Sequence, residues 1–196
     1  MLKDFKILGP SKIEVKRYLE TWDSNDGYCL PEKCLNKLFL KTYPLNSDVD
    51  EVLIKVSSLI KLYSLVIFDS VVVAKHIVGL NIDPALREGD LSIVDKIANV
   101  KMNGKIKRKF YSFATKYCSF HNPNIYPIYD SNVDKMLWYF RNQDKFDGFE
   151  REDLKTYKLY RDIIFNFQKH YNLELFNLRQ IDKYLFQAGK KYFPNN

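Results

Sequence analysis

The chain has 196 residues, 46% of them hydrophobic and 15% aromatic, enough apolar mass for a buried core and too much for a disordered chain. Seven glycines and seven prolines are too few for a sandwich or barrel that turns every ten residues, so helices are expected. The net charge of +7, from 31 basic against 24 acidic residues, favours a polyanionic partner, although an AT-rich coding bias gives a similar composition.

The first twenty residues, MLKDFKILGPSKIEVKRYLE, contain no apolar signal core, so export is not expected and a cytoplasmic location is. Residues 11–22 and 31–42 read as short helices, the second begun by Pro31 in its first turn. From Asp48 the spacing of Val52, Leu53, Val56, Leu59, Ile60 and Tyr63 predicts an amphipathic helix. Residues 66–79 read as a buried helix, and the polar residues between Leu59 and Leu80 argue against a membrane span. A short helix is expected at Leu91–Val100. Near the end, Leu154, Tyr157, Tyr160, Ile163, Ile164 and Phe167 form one apolar stripe. Phe176, Ile181, Tyr184 and Leu185 form another, in a last helix expected to stop at Gly189.

Cys29, Cys34 and Cys118 form no CxxC pair and have no histidine at ligand spacing, so reduced thiols are expected and a metal site is not. No repeat or linker separates domains. The chemistry concentrates in residues 101–140: a basic turn, a helix, a Pro-containing loop and another helix. Five of the nine residues from Lys101 to Lys109 are basic, namely Lys101, Lys105, Lys107, Arg108 and Lys109. Beside a helix start, such a run suits phosphate, and it equally suits a solvated turn. Asn103 and Gly104 supply residues that tolerate a tight turn.

The segment IYPIYDSNV, ending in the approach to and start of a helix, resembles the corresponding segment of helix-hairpin-helix DNA glycosylases, and locally of the adenine-specific mismatch glycosylases. Ser112 and Ala114 also fall on matching positions without a gap; the G-x-G turn usual in that family is replaced by Asn103-Gly104-Lys105. The resemblance implies an all-α, two-lobed fold, with residues 48–146 as the lobe carrying hairpin and catalytic loop, and residues 1–47 plus 147–196 as the second. It implies a DNA base-excision glycosylase acting on a flipped, damaged, mismatched or modified base, with Asp130 as the catalytic carboxylate. The competing reading of Asp130 is a helix N-cap, with Ser131 and Asp134 imitating a capping box.

In the strand-nicking members a lysine stands where this chain has Ser112, so the resemblance implies hydrolysis by water, with Lys107 or Lys109 as possible lyase nucleophiles and Lys116 a lesser one. DNA contacts are expected from Lys101, Asn103, Gly104, Lys105, Lys107, Arg108 and Lys109. Base-pocket roles are expected for Ser112, His121, Asn122, Tyr126 and Tyr129, each of which has an ordinary packing or turn role as its alternative. The partner implied is double-stranded DNA, met by a monomer, with no metal, cofactor or membrane. Two other readings stay open: a non-catalytic helix-hairpin-helix module, and a helical protein-interaction domain with compositional charge.

Overall fold

The computed structural model describes residues 7–102 and 106–194, and within them the fold is all-α with one two-stranded sheet. The order is α1 (Lys12–Asp23), α2 (Asp26–Lys37), α3 (Val49–Leu62), α4 (Ser70–Gly79), α5 (Asp83–Glu88), α6 (Ser92–Ala98), β1 (Asn99–Met102), β2 (Ile106–Lys109), α7 (Tyr111–His121), α8 (Ser131–Asp144), α9 (Tyr157–His170) and α10 (Leu178–Tyr192).

Caps account for most starts. Ser11, Asp48, Asp69 and Asn177 each accept a backbone N–H of the first turn of α1, α3, α4 and α10. Asn25 does the same for α2, which therefore begins at Asp26 rather than at Pro31; the proline sits inside the helix, and a five-residue π-turn, Leu38–Thr42, carries the chain on. The helix expected over 66–79 starts only at Ser70, where Asp69 supplies a cap, and the residues before it are an irregular loop. The helix expected at Leu91–Val100 ends at Ala98, because Val100 enters a ladder opposite Arg108.

That ladder changes the expected hairpin. In place of a short turn between two helices, β1 and β2 pair antiparallel between α6 and α7, with Lys101 opposite Lys107 and Asn99 opposite Lys109. Val100 is fully buried, and its face of the hairpin packs on α4 and α6, which leaves the Lys101 and Lys107 face outward. Asn103, Gly104 and Lys105 lie outside the described residues.

Gly189 does not end the last helix. It lies inside α10, where a β-carbon would fall 2.8 Å from the Asn132 carbonyl carbon, so glycine lets α10 close onto the first turn of α8. Buried side chains from Ile7 to Ala188 join one apolar cluster that runs through both expected lobes. Both aromatic stripes are part of it: Leu154, Tyr157, Tyr160, Ile163, Ile164 and Phe167, and Phe176, Ile181, Tyr184 and Leu185. Among the described residues no helix is long and apolar enough to cross a membrane.

Candidate active site

The loop between α7 and α8 runs through the core, and its backbone carbonyls must find partners there. Tyr157 donates to the Pro127 carbonyl at 3.0 Å, and Tyr160 donates to that of Ile128. The Tyr129 carbonyl accepts from Ser112 Oγ at 3.1 Å and from Lys116 Nζ at 3.2 Å, while Thr115 Oγ1 accepts the Tyr129 N–H at 3.0 Å. Three consecutive carbonyls are thus pinned by side chains of α7 and α9, and the residue that follows is Asp130.

Asp130 is the N-cap of α8. Its Oδ1 accepts the Asn132 N–H at 3.0 Å. Its Oδ2 is left for Lys116, whose Nζ lies 3.3 Å away and also donates to Ser112 Oγ at 2.7 Å. Capping and pairing are therefore made by different oxygens of one carboxylate. No Ser131–Asp134 box forms: Asp134 accepts from Tyr129 Oη and from Arg151, each at 2.8 Å. The side chain of Lys116 is 1% exposed and that of Asp130 21%, so the ammonium is sealed in while the carboxylate reaches an opening. Burial lowers the Lys116 pKa, and the nearby Asp130 charge opposes that shift.

The opening is a cavity of about 260 Å³. Asp130 shares its wall with Trp22, Tyr28, Tyr63, Phe186 and Lys190, contributed by α1, α2, the end of α3 and α10. Trp22 and Tyr28 stack with ring centroids 4.8 Å apart, and Phe186 meets each edge-on at 6.2 Å. Glu32 also lines the cavity, yet it accepts Trp22 Nε1 at 3.0 Å and Lys183 Nζ at 2.6 Å, with Arg179 at 3.9 Å. Glu32 is held by three donors, and Asp130 is the more exposed of the two carboxylates at the cavity wall. Behind them Asp182 has Oδ1 buried without a hydrogen-bond partner, and burial pushes its pKa up to about 7 against the pull of Arg179 and Lys116.

The expected base-pocket residues are dispersed. Ser112 touches Lys116 rather than the cavity. His121 bonds Asn46 Oδ1 at 3.2 Å and is driven down to about 3 by burial and by Lys55, so its ring is neutral. With Asn122 it lines a different cavity, of about 290 Å³. Tyr126 is fully buried, its hydroxyl donating to the Ala85 and Asp90 carbonyls at 3.3 and 3.2 Å. Tyr129 uses its hydroxyl on Asp134 and brings only its carbonyl to the site. Lys101, Lys107 and Arg108 are exposed on the hairpin, and Lys109 pairs with Asp95 at 3.2 Å. The amine beside Asp130 is that of Lys116. The cavity's aromatic wall escaped the sequence reading because Trp22, Tyr28 and Phe186 look like ordinary helix apolar positions, joined only by tertiary packing.

One more feature lies on the rim. Tyr63 and Ser64 line the cavity, and the same loop carries Val66 and Phe68, 75% and 96% exposed. Ser64 turns the chain with φ at +51°, a conformation uncommon outside glycine and asparagine. Among the described residues no group of three or more His, Cys, Asp or Glu side chains is placed to hold a metal.

Comparison with known proteins adds kinship without an activity. The family model HI_0787_N, described as an N-terminal domain, matches residues 14–125, more than half of the chain and ending just short of Asp130. A Haemophilus influenzae protein that bears the name "Uncharacterized protein" is 45% identical over 135 residues, which is 68% of this chain and 64% of that relative's length. No solved structure matches the chain significantly.

Proposed function

We propose that this chain, which belongs to the HI_0787_N family, is a DNA base-excision glycosylase that hydrolyses the N-glycosidic bond of a base flipped into the Asp130 cavity. The observation that carries the reading is the Asp130 carboxylate, capping α8 and paired with Lys116, at the wall of an aromatic-lined cavity of about 260 Å³. Breaking an N-glycosidic bond builds positive charge on the sugar, and a fixed carboxylate beside it lowers that barrier. Lys116 holds Asp130 in place, the Trp22, Tyr28 and Phe186 rings wall the space the base would enter, and water attacks the sugar.

Two surface features support a DNA partner. Lys101 and Lys107 stand directly opposite each other, a placement that costs stability unless an anion lies across it. Phe68 offers an almost fully exposed ring on the loop that forms the rim, suited to entering the gap that a flipped base leaves. The protein meets duplex DNA as a monomer in the cytoplasm, and the identity of the excised base follows from the cavity's shape. A non-catalytic DNA-gripping module is the second reading, favoured by the hairpin lysines alone.

The test is base release from duplexes carrying uracil, alkylated, oxidised, mismatched and phage-type modified bases, scored as alkali-labile sites. Asp130→Asn is the informative variant because asparagine caps a helix as well as aspartate does. Wild type is expected to release one class of base, with Asp130→Asn about 100-fold slower or worse and still bound to DNA. Strand breaks before alkali, with borohydride trapping that Lys116→Met abolishes, would assign a lyase step to Lys116. Equal DNA binding by both proteins with no release from any duplex would move the reading to the non-catalytic module.

A further inference from the structure

The cavity of about 290 Å³ has three of its lining residues, Leu45, Asp83 and His121, held by one buried polar network. Lys55 is fully buried, and its Nζ donates to the Tyr43 and Leu45 carbonyls at 3.1 and 2.7 Å and to Asn46 Oδ1 at 2.7 Å. Asn46, buried as well, gives its backbone N–H and its Nδ2 to the two carboxylate oxygens of Asp83, at 3.0 and 2.6 Å. An ammonium only donates and a carboxylate only accepts, so one orientation of the Asn46 amide serves both. His121 Nε2 lies 3.2 Å from the same Oδ1, which can only accept. Nε2 therefore carries the proton of the neutral ring, and Nδ1 is left with a lone pair.

Arg87 lines the cavity one helical turn beyond Asp83, on α5. An acid followed four residues later by a base is the favourable order for an ion pair on a helix. Here Asp83 is held by Asn46 instead, and among the described residues the exposed Arg87 has no ion pair or hydrogen bond. A carboxylate accepts about four hydrogen bonds and Asn46 uses two, so Asp83 keeps capacity for a further donor. Leu40 and Leu45, each about half exposed, supply apolar surface to the same cavity. Acceptors, an unpaired guanidinium and apolar surface together suit a small guest that carries a cationic donor, an anion and an apolar body.

We infer that this cavity binds a free α-amino acid with an apolar side chain: its ammonium at Asp83 and the His121 ring, its carboxylate at Arg87, and its side chain against Leu40 and Leu45. Among the described residues the cavity shares no lining residue with that of Asp130, so the inference stands apart from the glycosylase reading.

The test is calorimetric titration of the full chain, without DNA, with L-leucine, L-isoleucine and L-phenylalanine. At least one is expected to bind saturably at millimolar concentration or below. Its amide, which lacks the carboxylate, and its deaminated acid, which lacks the ammonium, should each bind about tenfold more weakly or worse. Arg87→Gln is expected to weaken the amino acid about tenfold and to leave the amide's affinity and the thermal midpoint unchanged, since Arg87 holds nothing in the fold. The inference is overturned if none of the three amino acids binds, if either truncated probe binds as tightly as its parent, or if Arg87→Gln leaves the parent's affinity unchanged. Binding here with no base release at Asp130 would leave this inference standing while the glycosylase reading fails.

Discussion

Lys116 shows how far one side chain depends on its surroundings. Its ammonium is desolvated, which lowers its pKa, and is retained by Asp130, Ser112 and the Tyr129 carbonyl. Lys116→Met keeps the length and removes the charge, so Asp130 and the Tyr129 carbonyl lose a donor. We expect a loss of about 1–3 kcal/mol in urea unfolding and at least a tenfold fall in single-turnover base release, with DNA affinity little changed. Gly189 is the second such residue. Gly189→Ala forces a β-carbon against the Asn132 backbone, two residues from Asp130, and is expected to cost about 1–3 kcal/mol by thermal unfolding. The sequence offers Asp130 both as a candidate carboxylate and, in the competing reading, as a helix cap, and the structure makes it the N-cap of α8. The sequence did not mark Lys116 above Lys107 and Lys109, because the three differ in burial and not in type.

Among the elements, the hairpin departs most from expectation and makes the most direct electrostatic claim. By sequence the run is a basic turn, and the pairing makes it a ribbon with Lys101, Lys107 and Arg108 exposed. If all three meet phosphate, replacing them with alanine should reduce the slope of log affinity against log salt by about 2.7, measured by fluorescence anisotropy on duplex DNA. An unchanged slope would show the ribbon to be a solvated surface. Elsewhere boundaries followed the available hydrogen bonds. α2 began early because Asn25 could cap it, and α4 began late because Asp69 could. The short α5 was not foreseen, since six residues carry too little periodicity to be read.

Across the whole molecule, ionisable groups collect where α2, α7, α8 and α10 converge. Asp182, in α10, has an ordinary pKa of 3.8 and is pushed up to about 7 in the fold, chiefly by burial. The native state therefore holds a proton that the unfolded chain releases, and this group's contribution to stability falls as pH rises from about 4 to 7. Asp182→Asn removes that dependence. Relative to wild type, the variant should gain up to about 4 kcal/mol between pH 4 and pH 8, read from urea midpoints at each pH. A constant difference across that range would show that Asp182 is ionised throughout.

The sequence by itself determined the helical class, the apolar faces of α3, α9 and α10, and the candidate carboxylate at the head of α8, because helical periodicity and capping act over three or four neighbouring residues. Only the tertiary structure decided which side chains share a cavity. It took Tyr126, His121 and Asn122 away from Asp130 and gave it Trp22, Tyr28, Tyr63, Phe186 and Lys190 instead. Those residues come from four separate helical segments, and the packing that joins them rests on contacts between distant parts of the chain. Such contacts obey shape and burial, which leave no fixed spacing in a sequence.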